Sequence, residues 1–244
     1  MRCTAATANK VGELLAGESG LGARIAKLRT MVEQQIVVGT EALDEVRALR
    51  YAAFRREGAT PVRSDRRLGD RFDHSPNGAV FAIRFEDRLC ATIRLHVVDA
   101  DALESPACTV FADHLLPRVE AGERLVDPNS FCVDPHLAGR FPEFAYLALR
   151  LPFIAAGLRE RSSVTATVRA EHAAFYARVL RCRPVAPARF YPGRTTPLRL
   201  MLVCYDDEAG AVVARRPFFA ALPGEVAAIG LDRVGVSPIP AIAA

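Results

Sequence analysis

The chain has 244 residues, half of them hydrophobic, which is enough for one domain with a full apolar core and short extensions. Its formal net charge is +4, and its basic residues are spread along the chain with no basic tract interleaved with aromatic residues. This argues against a nucleic-acid partner and suits an acidic partner or a phosphate-bearing substrate. No apolar run approaches the roughly 18 residues that span a bilayer, and residues 1–20 lack a signal-peptide core, so a cytoplasmic protein is expected.

The cysteines and histidines do not form a metal-binding pattern. Six cysteines are scattered without a C-x-x-C pair, and the five histidines are equally dispersed. No cluster of histidine, cysteine and carboxylate has the spacing of metal ligands. We therefore expect buried free thiols and no metal.

Residues 1–35 have apolar side chains at helical spacing, interrupted at Gly17 and at the pair Ser19 and Gly20. They predict a two-part helical extension. It could pack on the main domain, which runs over 36–206, or make a weak contact with a membrane surface.

A helix is predicted over 41–56, after a short strand at 35–39, with Thr40 as its N-cap. Its apolar face includes Arg50 and Phe54. An arginine on such a face must find an anion, unless its head group reaches solvent along the protein surface.

The polar stretch 59–78 predicts a loop or lid, and it carries Asp70 and Asp73. Two strands, 79–85 and 89–98, follow as a hairpin. Arg94 lies in the centre of the second strand, where a charged side chain either faces solvent or pairs with a carboxylate.

The segment 125–133 predicts an interior strand, preceded by a variable connection at 99–123 with a short helix. Alternation would place Leu125, Asp127, Asn129, Phe131 and Val133 on one face. Proline donates no hydrogen bond to a sheet, so the proline at position 128 implies a bulge or a point where neighbouring strands part. A parted strand that runs into a helix would suit an extended, amide-bearing ligand ending in a phosphate, such as pantetheine. The alternative is an ordinary edge strand.

The remaining elements are a nearly all-apolar helix at 144–161, a strand at 163–168, a helix at 173–180 and strands at 184–191 and 197–205. Residues 207–244 are rich in alanine and proline and predict a peripheral tail. The order predicts an α/β fold of the α+β type, with one mixed sheet and helices on both faces.

The order of these motifs resembles the Gcn5-related (GNAT) acyltransferase fold, over about residues 35–205. Leu-Arg50-Tyr-Ala-Ala-Phe54 resembles the first helix of the branch that holds acyl-homoserine lactone (autoinducer) synthases and long-chain N-acyl amino acid synthases. Asp70-Arg-Phe-Asp73 resembles its paired aspartates, and Ile-Arg94-Leu resembles the arginine that ends its third strand.

Two further stretches favour the N-acyl amino acid synthases within this branch. The family's strand-four pattern is Glu-x-Ser-Arg, whereas Asp127-Pro-Asn129-Ser130 has a shorter carboxylate and a serine in place of the arginine. A polar site built for one substrate rejects another that leaves its groups unpaired, so this departure disfavours lactone synthesis. The stretch from Val168 to Tyr176 resembles the N-acyl amino acid synthases.

The resemblance implies aminolysis of an acyl thioester. Asp127 is the candidate base, acting through a water, and Tyr176 is the candidate acid for the departing thiolate. The amides of Phe131, Cys132 and Val133 would bind the thioester carbonyl and pantetheine. The candidate substrate-binding residues are Arg50, Phe54, Asp70, Asp73, Arg94, Asn129 and Ser130.

Gly139 and Arg140, at the entry to the long helix, are candidates for binding the pantetheine phosphate, because free amides at a helix start favour an anion.

The function expected from the sequence is an N-acyltransferase that moves a long acyl chain from acyl carrier protein, or from acyl-CoA, to an amino acid or related amine. Acyl-phosphopantetheine would be a co-substrate, and no tightly bound cofactor is expected. The alternatives are an acyl-homoserine lactone synthase, an ornithine-lipid type synthase and a non-catalytic module that binds acyl carrier protein.

Overall fold

A seven-stranded mixed sheet organises the computed structural model, which describes residues 3–235. The strands follow the order β1-β2-β3-β4-β5-β7-β6, and every neighbouring pair is antiparallel except β4 and β5. Their ranges are β1 Val32–Ile36, β2 Gly78–Phe85, β3 Arg88–Val98, β4 Arg124–Val133, β5 Ser162–Val168, β6 Arg183–Arg189 and β7 Leu198–Cys204. The predicted mixed sheet is confirmed, and β4 lies in its centre.

Eight α-helices accompany the sheet in the part of the chain that the structure describes. They are α1 Ala5–Leu15, α2 Leu21–Arg29, α3 Thr40–Arg56, α4 Pro106–Glu120, α5 Glu143–Gly157, α6 Ala173–Leu180, α7 Tyr205–Arg215 and α8 Glu225–Ile229. Helix α5 packs on one face of the central strands, in the largest apolar core. Helices α3 and α4 cover the other face, where they bury two smaller apolar clusters.

The predicted helix at 41–56 is confirmed as α3, but its N-cap is Gly39 and not Thr40. The first strand begins at Val32, earlier than predicted. The connection at 99–123 holds a 15-residue helix, α4, instead of a short one. Ser105 starts this helix because its hydroxyl accepts a hydrogen bond from the Cys108 amide at 3.1 Å.

The N-terminal helices pack on the main core, and the two helical pieces predicted from the sequence are present as α1 and α2. Val11, Leu15, Ile25 and Leu28 are fully buried against the face that holds α5. No helix within residues 3–235 is long and apolar enough to cross a bilayer. The apolar side of the extension is therefore already occupied by the protein itself.

The interpretation of the C-terminal segment as a peripheral tail is wrong for residues 207–235. Val212, Phe219, Ile229, Leu231 and Val234 are buried in the same core as α5. Residues 236–244 lie outside the described residues. The divisions at 35 and 206 stay predictions, and one continuous apolar core extends across both positions.

The predicted facing of β4 is wrong beyond Asn129 because Ser130 forms a bulge. Ser130 has a φ of 49°, and the pairing with β3 shifts register between Thr92 and Arg94. The bulge adds one residue to β4, so Phe131 and Val133 turn to the α5 face. Leu125 stays on the opposite face.

The cysteines are free thiols, as predicted. Cys3, Cys90, Cys108, Cys132 and Cys182 are buried, and Cys204 is partly buried.

The packing of the N-terminal helices yields a stability prediction. Leu15→Ala should lower the free energy of unfolding by about 2–5 kcal/mol, because it leaves a cavity in a filled core. Leu21→Ala is the matched control, since Leu21 is 36% exposed, and its effect should be much smaller. Urea denaturation would measure both changes, and equal losses in the two variants would contradict the packed extension.

Candidate active site

Strands β4 and β5 pair over only three residues and then part. The parallel pairs join Arg124, Leu125 and Val126 of β4 to the start of β5. Beyond this point β4 continues to pair with β3, and β5 continues to pair with β7 up to Val168. The backbone groups of β4 that face the opening have no strand partner, so the predicted parting near Pro128 is confirmed.

A cavity of about 550 Å³ fills the opening between the two strands. Residues 128–133 of β4 and 166–168 of β5 line its sides. Ala145 and Leu149 of α5 and Phe175 of α6 add apolar surface. A mostly apolar cavity with a few polar groups on its wall is typical of a ligand site.

Most of the sequence-predicted site residues line this cavity. They are Phe54, Asp70, Arg94, Asn129, Ser130, Phe131, Cys132, Val133, Gly139 and Tyr176. Four of the predicted residues do not line the cavity, and their positions are described below. They are Asp127, Arg50, Asp73 and Arg140.

Asp73 lies under the cavity wall and connects three arginines. Its Oδ1 accepts hydrogen bonds from Arg50 Nη1 at 2.5 Å and Arg94 Nη1 at 2.7 Å, and its Oδ2 accepts one from Arg47 Nε at 3.0 Å. Burial alone would raise the pKa of Asp73, but the charges of Arg50 and Arg94 outweigh it and lower the pKa to about 2. The buried Arg50 thus finds its anion in the lid.

Arg94 joins this buried cluster to the cavity. Its Nη1 and Nη2 donate to the two carboxylate oxygens of Asp70 at 2.6 and 3.1 Å, and its Nε donates to Asn129 Oδ1 at 2.6 Å. Arg94 is fully buried, whereas the Asp70 side chain is 49% exposed. The network therefore fixes the lid to β4 and presents the Asp70 carboxylate at the cavity.

A buried histidine lies behind Asn129. The Asn129 amide nitrogen is 3.1 Å from His96 Nδ1. Burial, together with the charge of Arg94, lowers the pKa of His96 to about 3, so the ring is neutral at pH 7. Gly78 pairs with His96 across the hairpin, and a Cβ at Gly78 would come within 2.8 Å of the ring. The sequence did not indicate that His96 contacts Asn129 behind the cavity wall.

Asp127 lies one layer below the cavity, toward α4. Its Oδ2 accepts a hydrogen bond from the Ala107 amide at 3.0 Å, and its Oδ1 accepts one from the Thr165 hydroxyl at 2.9 Å. Burial raises the pKa of Asp127. Strand alternation before the bulge turns this side chain toward the start of α4, so its contacts are those of a helix cap. Its role as a base stays a prediction.

Tyr176 lines the cavity from α6, where its ring contacts Phe175 with 5.4 Å between ring centroids. Burial raises the pKa of Tyr176, so its hydroxyl keeps its proton at neutral pH. A protonated hydroxyl on the cavity wall suits a proton donor.

The loop between β4 and α5 places Gly139 at the cavity but not Arg140. Gly139 has a φ of 82°, which favours glycine. The Arg140 amide donates to the Leu137 carbonyl at 3.1 Å, and its exposed guanidinium lies over the Phe141 ring. The turn uses the Arg140 amide internally, so only its exposed guanidinium is free to contact a phosphate, and that contact stays a prediction.

Two points differ from what the sequence suggests. The apolar residues of the long helix suggest a tunnel for a long acyl chain beside it, but Leu147, Leu151, Phe153 and Ile154 pack in the core. The sequence reasoning also missed Arg194, which lines the cavity from the loop between β6 and β7. The pair Pro192 and Gly193 in the sequence predicts a turn at this point, but a turn does not show which cavity it covers.

The comparisons with known proteins agree with this geometry. The family model described as N-acyl amino acid synthase FeeM matches residues 45–204. The chain belongs to this family. It is an N-acyltransferase with the GNAT-like fold. The comparison with curated proteins finds no match.

Two solved structures are similar in fold. FeeM, an N-acyl amino acid synthase from uncultured soil microbes, is 18% identical with a TM-score of 0.63, over 75% of this chain and 96% of its own. MesI, a CoA-dependent acyl-homoserine lactone synthase, is 15% identical with a TM-score of 0.50, over 78% of this chain and 97% of its own. These likenesses place the central sheet and its helices in a common architecture.

The Asp73 cluster yields a pH-dependent prediction. Asp73→Asn should lower the free energy of unfolding at pH 7 by about 3–5 kcal/mol, because it leaves buried arginines without their carboxylate. The pKa of Asp73 is depressed from 3.8 to about 2, so the stability that its charge contributes is present above pH 3.8 and is lost toward pH 2. The difference between parent and variant should therefore narrow over that range.

Denaturant titrations at several pH values would measure this difference. Asp65→Asn is the control, since Asp65 is an exposed lid carboxylate paired with Arg63, and its variant should stay close to the parent. A constant difference from pH 7 to pH 2 for Asp73→Asn would contradict the electrostatic role.

Proposed function

We propose that this protein transfers a long acyl chain from a phosphopantetheine thioester to the amino group of an amino acid or related amine. The observation that carries the proposal is the cavity between the parted strands, with unpaired β4 backbone on one side and the Asp70 and Arg94 cluster in its polar part. Family membership supports the transfer reaction. The identity of the amine and the identity of the acyl carrier go beyond family membership and are proposed here.

The parted strand suits the pantetheine arm. An extended chain with two amide groups can add to an open strand edge as a further strand would, and residues 129–133 offer that edge. Gly139 lets the arm pass close to the backbone where the cavity meets the start of α5. We assign acyl carrier protein as the preferred donor, with acyl-CoA as the alternative.

The reaction forms an amide bond and breaks a carbon–sulfur bond. The neutral amine attacks the thioester carbonyl, the resulting oxyanion accepts hydrogen bonds from backbone amides of β4, and the carbon–sulfur bond then breaks. The amine gives up one proton, and the departing thiolate takes up one proton. Tyr176 is the proposed donor to the thiolate.

Two carboxylates compete for the role of base. Asp70 is on the cavity wall and partly exposed, whereas Asp127 is buried beneath it and could act only through a water. Geometry favours Asp70, because a base must come within hydrogen-bond reach of the proton that it takes.

The first functional test is turnover. The protein would be incubated with dodecanoyl acyl carrier protein or with dodecanoyl-CoA as the donor. The acceptor panel would contain amino acids, including ornithine, together with simple amines and S-adenosylmethionine, and mass spectrometry would identify the products. We expect N-acyl amino acids. A lactone product, or binding of the carrier without any product, would overturn the proposal.

Chain length is the next expectation. Each buried methylene contributes about 0.8 kcal/mol, so a dodecanoyl donor should be used far better than an acetyl donor. Ala145 is half-buried on the cavity wall, so Ala145→Leu should shift the preference to shorter chains. Ala174→Leu, at an exposed position of α6, is the control. Equal kcat/KM for acetyl and dodecanoyl donors in the parent would refute the apolar acyl site.

Three variants separate the proton-transfer roles. Tyr176→Phe and Asp70→Asn should each lower kcat by about a hundred- to ten-thousand-fold, the usual contribution of a positioned acid or base. Asp127→Asn should lower kcat much less, since asparagine can keep the contact to the α4 amide. Tyr51→Phe, at a position outside the cavity lining, is the control for removing a hydroxyl. A larger loss at Asp127 than at Asp70 would restore Asp127 as the base.

A further inference from the structure

Arg194 is a cation on the cavity wall that the reaction described above does not use. It lies in the loop between β6 and β7, and its Nη1 is buried without a hydrogen-bond partner. Within residues 3–235, no carboxylate forms an ion pair with it. Burial lowers the pKa of Arg194, but an arginine stays charged at pH 7. Arg194 is half-buried, and a buried N–H of a cation without a partner is costly, so this position calls for an anion.

The guanidinium of Arg194 is held in place. Its Cζ lies 4.1 Å from the centroid of the Phe54 ring on α3, a stacking arrangement that favours a cation. Its backbone amide donates to the Tyr191 carbonyl at 3.1 Å, and the next residue, Thr195, donates its hydroxyl to the Gly58 carbonyl at 2.7 Å. The loop is thus tied to the turn that follows α3, and Arg194 is presented to the cavity from a fixed support.

Arg194 belongs to the polar part of the cavity. Asp70 lies close enough to act on its charge, and both side chains line the cavity without a hydrogen bond between them. Gly139, where the pantetheine phosphate is expected, belongs instead to the loop that leads to α5. An anion at Arg194 is therefore more consistent with the acceptor than with the donor.

We infer that Arg194 binds the carboxylate of an α-amino acid acceptor whose amino group is held at Asp70. This rests on the proposed function in placing the acceptor in this cavity. An α-amino acid carries both charges a short distance apart, so a carboxylate and an unpaired guanidinium that line the same cavity match it. Arg194 is then the residue that distinguishes amino acids from simple amines.

The inference can be tested by binding, without turnover. Isothermal titration calorimetry would compare N-decanoyl-L-alanine with N-ethyldecanamide, which lacks only the carboxylate, and N-decanoyl-L-phenylalanine with its decarboxylated amide. In the parent protein each carboxylate-bearing ligand should bind about ten- to hundredfold more tightly, as expected for a hydrogen-bonded charge pair. Arg194→Gln should abolish this preference and leave the affinity for the neutral amides unchanged.

Two further variants complete the test. Arg194→Lys should keep part of the preference, because lysine retains the charge but not the paired geometry. Arg55→Gln, an exposed arginine next to Phe54 on α3, should keep all of it. Equal weakening of acid and amide by Arg194→Gln, or a loss of affinity for CoA with the carboxylate preference intact, would overturn the inference.

The binding result can be separated from the proposed function. A protein that shows no turnover with any donor in the panel would contradict the proposed function, whereas an Arg194-dependent carboxylate preference would still support the site. If Arg194→Gln turns over amino acids and the matched amines in the same ratio as the parent, the proposed function is preserved. That result would remove Arg194 from acceptor recognition.

Discussion

The loss of pairing between β4 and β5 is the constraint on which the site depends. A central strand normally exchanges hydrogen bonds on both sides, and buried amides without partners are costly. Here β4 keeps β3 as a partner along its length but keeps β5 for only three residues. The opening is supported because β5 holds to β7 and α5 covers one face of the central strands. Under the proposed function, an amide-bearing ligand that pairs with this strand offsets the cost of the open backbone.

A charged cluster on the other face of the sheet gives the cavity its polar part. Desolvating several arginines around one carboxylate stabilises a protein little by itself. The geometric result is more useful, because Asp73 and Arg94 attach an otherwise irregular lid to the rigid hairpin and to β4. Hydrogen bonds through Arg94 thereby fix the position of Asp70 relative to the open strand. A loop without such bonds rarely holds a side chain as precisely.

Much of this could be predicted from the sequence, and the limits have physical reasons. The periodicity of α3 and the hairpin between β2 and β3 are local patterns, and they were predicted correctly. Pro128 predicted either a bulge or a parting of strands, and the structure has both near this position. The bulge at Ser130 was placed by the structure alone, because a serine with positive φ has no strong sequence signal, and it reversed the facing of Phe131 and Val133. The positions of Asp127 and Arg194 relative to the cavity result from contacts between segments that are far apart in the sequence. Residue spacing along the chain does not predict such contacts.

The segment that the family model matches is shorter than the segment that shares the apolar core. The family model starts at residue 45, inside α3, whereas residues 3–44 supply α1, α2 and the edge strand β1. Arg24 of α2 donates to the buried carboxylate of Glu143 at 2.5 Å, at the first residue of the helix that covers the cavity. A fragment trimmed to the shared segment would expose one side of α5 and leave that acid unpaired. A boundary at residue 45 would thus cut through the apolar core that α1, α2 and α5 share.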